Sequence, residues 1–216
     1  MYTSPNVQIP AGRCSVAGDL RIPAEARAIV VLVHGSGVTR HDHGNSAVAM
    51  RLEHARFSTL RVDLLQEHET HDRHNVFDVG MQADRLLAVM RWLRNGRRLR
   101  SLPLGLYGTG IGSGVALTAA DKAPQAVSAL VLRGGRPDSA LYDVSQVRAP
   151  MLFIDDEPDA GWVDMAYRKA RAEKQLVQVR SASHIYSEPK AIEAVAEHAE
   201  RWFSRYLERT PRQVEA

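Results

Sequence analysis

Three places in the chain carry residue types that could act together on a small molecule. The first is Gly108-Thr109-Gly110-Ile111-Gly112. Small residues around a central position form the frame of a nucleophile elbow, Gly-x-Ser-x-Gly. There a sharp strand-to-helix turn lifts one side chain clear of a sheet and strains its backbone. The centre of the frame is Gly110, which has no side chain to present. The second place is an acidic stretch with Asp155, Asp156, Glu157 and Asp159, and the third is His184 in Ser181-Ala182-Ser183-His184. Elbow, then acid, then histidine is one of the chain orders of a catalytic triad. In such a triad the carboxylate orients an imidazole that takes the nucleophile's proton. An oxyanion formed at this place would be met by the N–H of Ile111 and by the loop after His34, at Ser36 and Gly37. Asp155 and Asp156 stand as alternatives to Asp159, because the register of the acidic loop is open by a few residues.

Other readings of these residues are weaker on physical grounds. Gly108, Gly110, Gly112 and Gly114 superficially suggest a dinucleotide loop. They lie mid-chain, however, not after the first parallel strand, and no acid follows at the required place. An elbow centred on Ser113 would be flanked by the β-branched Ile111 and Val115, which crowd such a turn. Ser113 fits the first turn of a helix instead. Thr109 and Ser36 are further hydroxyls, but neither occupies the raised position. A second constellation is a histidine-rich rim, His41, His43, His68, His71 and His74, with Asp42, Glu67 and Asp72 among them. Imidazoles with a carboxylate suit zinc or nickel. Loop ligands without fixed geometry read more simply as a polar rim, so no metal is expected.

The elements that must position these groups follow from the hydrophobic pattern. Residues 7–9 and 14–22 read as an opening antiparallel hairpin, with Gly12 and Gly18 marking turns or bulges. Residues 28–34 form a continuous apolar run, which predicts a strand covered on both faces. Helical spacing over 47–55 places Val48, Leu52 and Ala55 on one face. Residues 57–65 read as a strand. Residues 77–93 read as a long amphipathic helix with Leu86, Val89, Met90 and Leu93 in its stripe. The alternation continues with strands at 104–107, 127–132, 151–154 and 176–179, and helices at 113–120, 163–173 and 191–206. Strands alternating with helices imply a mostly parallel sheet covered on both faces, with ligands beyond the carboxyl ends of its strands. The loops after His34, Asp63, Tyr107, Ile154 and Val179 are therefore the ones to search.

The whole of 1–216 is expected to be a single domain. With 44% hydrophobic and 25% charged residues, the chain has ordinary globular composition. A net charge of +3 gives no argument for nucleic acid. The cluster Arg94, Arg97, Arg98 and Arg100 suits a solvated helix end. One cysteine, Cys14, excludes an intrachain disulfide. No signal peptide or bilayer-spanning run is visible, so a cytoplasmic protein without a membrane partner is the expectation.

At the level of these motifs the chain resembles the dienelactone-hydrolase family of α/β-hydrolases, and within it a compact bacterial branch of small hydrolases with no lid domain. The resemblance is carried by VVLVHGSGVTRHDHGN, TLRVDLL, LPLGLYGTGIGSGVALTAA, VLRGGRPD, APMLFIDDEPD and SASHIYSEPKAIEAVAEHAERWF, nearly the whole chain. It implies an α/β-hydrolase fold: a mostly parallel central sheet with an N-terminal antiparallel hairpin and helices on both faces. It aligns the elbow serine with Gly110, the acid with Asp159 and the base with His184. It also implies ester or lactone hydrolase ancestry, no cofactor, and a small ester-, lactone- or acid-like ligand, in a monomer or homodimer. Three functional classes follow. One is a pseudo-hydrolase that binds without turnover. Another is an enzyme in which His184, oriented by Asp159, activates water directly. The third is a non-catalytic binding or interaction module.

Overall fold

The computed structural model describes residues 2–35, 38–135, 144–155, 161–179 and 189–207. Its centre is an eight-stranded sheet in the order β1-β2-β4-β3-β5-β6-β7-β8. The strands are β1 (Tyr2–Ala11), β2 (Cys14–Ile22), β3 (Ala28–Val33), β4 (Phe57–Asp63), β5 (Leu104–Thr109), β6 (Ala129–Arg133), β7 (Met151–Asp155) and β8 (Lys174–Gln178). β1 and β2 form an antiparallel hairpin, and β2 joins β4 antiparallel. From β4 through β3 to β8 every pairing is parallel. All six residues of β3 are buried, as a strand covered on both faces requires.

Helices α1 (His43–His54), α2 (Arg73–Phe77), α3 (Val79–Asn95), α4 (Ile111–Lys122), α5 (Trp162–Lys169) and α6 (Pro189–Tyr206) make the crossovers and the covering layers. The core is split by the sheet. On one face Leu86, Val89 and Leu93 of α3 and Val115 of α4 pack against Val31, Leu60 and Leu106. On the other, Leu52 of α1 and Val195 and Phe203 of α6 pack against Val30, Tyr107 and Val131. Among the described residues, no helix is long and apolar enough to cross a membrane.

The structure departs from the sequence-based expectation at five places. β1 is longer than 7–9 and carries an irregularity between Ser4 and Val7. Gly18 is neither turn nor bulge: it sits in register between Val7 and Val62, where a Cβ would lie 3.0 Å from the Leu60 side chain. The helix expected from residue 77 begins at Val79, because the Asp78 carboxylate accepts the Met81 N–H and starts a new N-terminus. Ahead of it, a 3₁₀ turn (Glu67–His71) and α2 form a helical excursion with no apolar period long enough to announce it. Finally, α5 ends at Lys169 and not at 173. The Lys174 ammonium donates to the Tyr167 and Ala170 carbonyls at its end, and the chain turns extended at Ala170 to enter β8.

Candidate functional site

β5 delivers its last residues to the carboxyl edge of the sheet, between β3 and β6. The chain then turns within a single residue into α4. That residue is Gly110, with φ 59° and ψ −130°. A positive φ with strongly negative ψ lies outside the left-handed helical region and is essentially a glycine conformation. The neighbours explain how the turn stays tight. A Cβ on Gly108 would come within 2.6 Å of the Gly112 carbonyl, and one on Gly112 within 2.7 Å of the Val33 carbonyl. At Gly110 the direction a side chain would take is open. Its nearest neighbour among the described residues is the Gly35 Cα at 3.5 Å.

Further contacts lock the corner. Ser113 is fully buried in the first turn of α4, and its hydroxyl donates to the Gly108 carbonyl at 3.1 Å, with those of Arg133 and Gly134 at 3.4 Å. It is thus a tie between the turn and the end of β6, and has no nucleophilic geometry. The Gly110 N–H donates to the Arg133 carbonyl at 3.2 Å. Gly134 and Gly135, both at positive φ, bring the segment after β6 so close that a Cβ on Gly135 would fall inside the Gly110 backbone. Ile111 opens α4, and its amide nitrogen lies beside Gly35, where a Cβ would come within 3.1 Å of it.

Beside the corner lies a polar cluster that sequence reasoning missed. His34 Nε2 is 2.7 Å from Asp63 Oδ1, and its Nδ1 is 3.0 Å from the Gly35 carbonyl. Asp63 also accepts the Arg40 N–H at 2.8 Å and the Arg40 guanidinium. Arg40 Nε stands 3.4 Å from Asp19, and Arg61 and His41 approach the same carboxylate. Burial pushes the Asp63 carboxyl up, but the bonds from His34 and from the amide and guanidinium of Arg40 outweigh it and hold the group down at about 2. The signal was in the register. β3 and β4 pair Val33 with Val62, so the next residues, His34 and Asp63, emerge side by side.

A cavity of about 500 Å³ opens over this cluster and reaches Gly35, which itself stands against Gly110. Its outer side is the helical excursion. Glu69 there is gripped by both terminal nitrogens of Arg85 at 2.6 Å, and Arg85 also donates to the Leu64 carbonyl. That guanidinium, opposed by burial and helped by the Gln66 N–H, holds the Glu69 carboxyl down at about 2. The Gln82 amide donates to the Asn75 and Val76 carbonyls.

The remaining predicted residues divide clearly. Ser36, Gly37, Asp156, Asp159 and His184 lie outside the described residues. Asp155 is buried at the end of β7. His41, His43, His68, His71 and His74 do not converge: among the described residues, no three metal-ligating side chains come together. His41 turns to Asp19 instead.

No family model matches the chain. A protein of Mycobacterium tuberculosis that bears the provisional name phosphoribosyl transferase is 41% identical over 204 residues. That match takes in 93% of this chain but 46% of the relative, so the chain spans about half the length of the curated relatives it matches. Est1E from Butyrivibrio proteoclasticus superposes with a TM-score of 0.78 over 94% of this chain and 98% of its own, at 14% identity, a likeness of fold alone. The dienelactone hydrolase of Anabaena variabilis superposes with a TM-score of 0.89 over 95% of this chain and 98% of its own, and 38% of residues are identical. Identity at that level, across almost the full length of a solved relative, means that the chain belongs to the dienelactone-hydrolase family of α/β-hydrolases.

Proposed function

We propose that the corner at Gly110 is a nucleophile elbow without its nucleophile, and that the protein binds a small ester-, lactone- or acid-like ligand with little or no turnover through an acyl-enzyme. One observation carries this reading. Gly110 keeps the backbone that an elbow imposes, φ 59° and ψ −130°, between two glycines whose side chains would collide with the backbone. In this reading the N–H of Ile111 and the loop at Ser36 and Gly37 receive a ligand carbonyl oxygen. Asp159 and His184 supply the acid and the base, an assignment that rests on the family resemblance. With the carbinol gone, the acyl-transfer route loses its first bond, and what remains is binding and oxyanion stabilisation.

The test is Gly110→Ser, assayed on p-nitrophenyl acetate and a simple lactone. Hydrolysis should rise by about a thousandfold over the unsubstituted protein, and His184→Ala in the same background should abolish the gain. A folded but inert Gly110→Ser sinks the elbow reading. If the unsubstituted protein already turns over esters and His184→Ala stops it, the histidine activates water directly. The name of the mycobacterial relatives is no guide to this chain. They are more than twice the matched length, and the matched stretch is the one that superposes on hydrolases.

A further inference from the structure

We infer that the amino edge of the sheet, opposite the corner, binds the phosphate backbone of double-stranded nucleic acid. The net charge of +3 conceals how charge is laid out along the chain. Six connections enter β3 to β8 at that edge, over residues 23–27, 55–56, 96–103, 123–128, 145–150 and 170–173. Together they hold seven arginines, no lysine and two carboxylates. The segments that leave β4 and β7 at the other edge, 64–72 and 156–161, hold three carboxylates each and no lysine or arginine. Residues 208–216 carry two arginines and two glutamates, so they leave the balance at either edge unchanged.

The edge presents these cations on tied-down backbone. Arg94 donates to the carbonyls of Arg100, Leu102 and Ala126, which fixes the connection into β5. Arg97, Arg98 and Arg100 stand exposed on it. Arg27 is engaged inside, with Ser204 and over the Phe57 ring. Arg56, Arg148 and Arg171 are exposed on three further connections. The two carboxylates, Glu25 and Glu173, pair with Arg56 and with Arg205 of α6, and exposed pairs of this kind open at little cost. Arg98 stands over the ring of Tyr2 in β1, and Arg171 leads into β8. The row therefore crosses the whole eight-stranded sheet, roughly 34 Å by the usual strand spacing. That is about ten phosphates along one strand of a duplex. Arginine without lysine suits this target, because its planar fork pairs with phosphate bidentately. An anionic bilayer is the poorer partner, since these connections expose no large apolar side chain to enter it. Short connections meet phosphates without reaching into a groove, so binding is independent of base sequence.

The experiment is fluorescence anisotropy with labelled DNA duplexes of about 20 base pairs, in two unrelated sequences, across about 50–200 mM salt. The protein should bind both duplexes to within about threefold of each other, with a micromolar Kd at the lowest salt. With about five phosphates neutralised, the slope of log K against log salt should be about −4.5. Arg97→Ala, Arg98→Ala and Arg100→Ala together should weaken binding at least about tenfold and make the slope shallower by about 2–3. Arg73→Ala, on the helical excursion at the other edge, should change neither. No binding at about 100 μM protein in the lowest salt, a slope shallower than about −2, or a triple variant that binds like the unsubstituted protein overturns the inference. So does stronger capture by phosphatidylserine–phosphatidylcholine vesicles at equal phosphate concentration, which would make a membrane the target. If the triple variant fails to fold, Arg98→Ala and Arg171→Ala should each make the slope shallower by about 1, and no change in either overturns the inference equally. This edge faces away from Gly110, so none of these results bears on the Gly110→Ser assay.

Discussion

A backbone at φ 59° and ψ −130° is costly for every residue but glycine, and the two glycines beside Gly110 are constrained by space and not by φ. The difference is measurable. Gly110→Ala adds a Cβ with open room around it, so its cost is backbone strain alone, about 1–3 kcal/mol in urea unfolding. Gly112→Ala drives a Cβ to 2.7 Å from the Val33 carbonyl and 3.0 Å from that of His34. Neither backbone atom can step aside, so this variant should lose about 3 kcal/mol or more, or fail to fold. A ranking with Gly110→Ala the more damaging would contradict this account. The glycine frame was legible in the sequence because only small residues satisfy it. The clasp on Asp63 was not, because both its partners, His34 and Arg40, come from other parts of the chain and join it only once β3 and β4 are in register.

Between β4 and α3 the chain makes its helical excursion, and two side chains of α3 hold it down. Arg85 clamps Glu69 and the Leu64 carbonyl, while Gln82 holds the carbonyls of Asn75 and Val76. Arg85→Met keeps the stem but leaves a half-buried carboxylate without its cation. It should cost about 1–3 kcal/mol and speed amide exchange over 66–77 well before the core exchanges. Uniform exchange across the chain would mean that the excursion unfolds only with the whole. This segment escaped sequence reading for a physical reason. Its residues are mostly exposed, only Val76 is buried, and short helices capped by Asp72 and Asp78 leave no periodic apolar stripe. The short apolar strands β3, β5, β6 and β7 were plain by contrast, since burial on both faces writes itself as a nearly continuous hydrophobic run.

At the scale of the molecule, the sheet separates two cores, and α6 closes one of them. Phe203 is fully buried there and tilts against Phe57 with ring centroids 6.5 Å apart. Phe203→Ala should cost about 3–5 kcal/mol, lowering the thermal midpoint. Acid stability is a second global property. Asp63 and Glu69, ordinary at 3.8 and 4.5, are held down at about 2 in the folded chain. A depressed carboxyl contributes stability in full above its unfolded value and loses it as pH falls through the folded one. The protein should therefore weaken from about pH 4.5 down to 2, and Asp63→Asn or Glu69→Gln should flatten that slope. An unchanged slope in both variants would place the acid sensitivity elsewhere.

Gly110 has a consequence for how this chain tolerates change. Any residue with a Cβ would hold that corner under load, and its neighbours would have to be good enough to keep it there. Glycine takes the same shape unloaded, so stability otherwise consumed at the corner is available to the surrounding loops. The rim can then drift further in sequence before the fold gives way, while the corner keeps a shape into which a single substitution could place a serine.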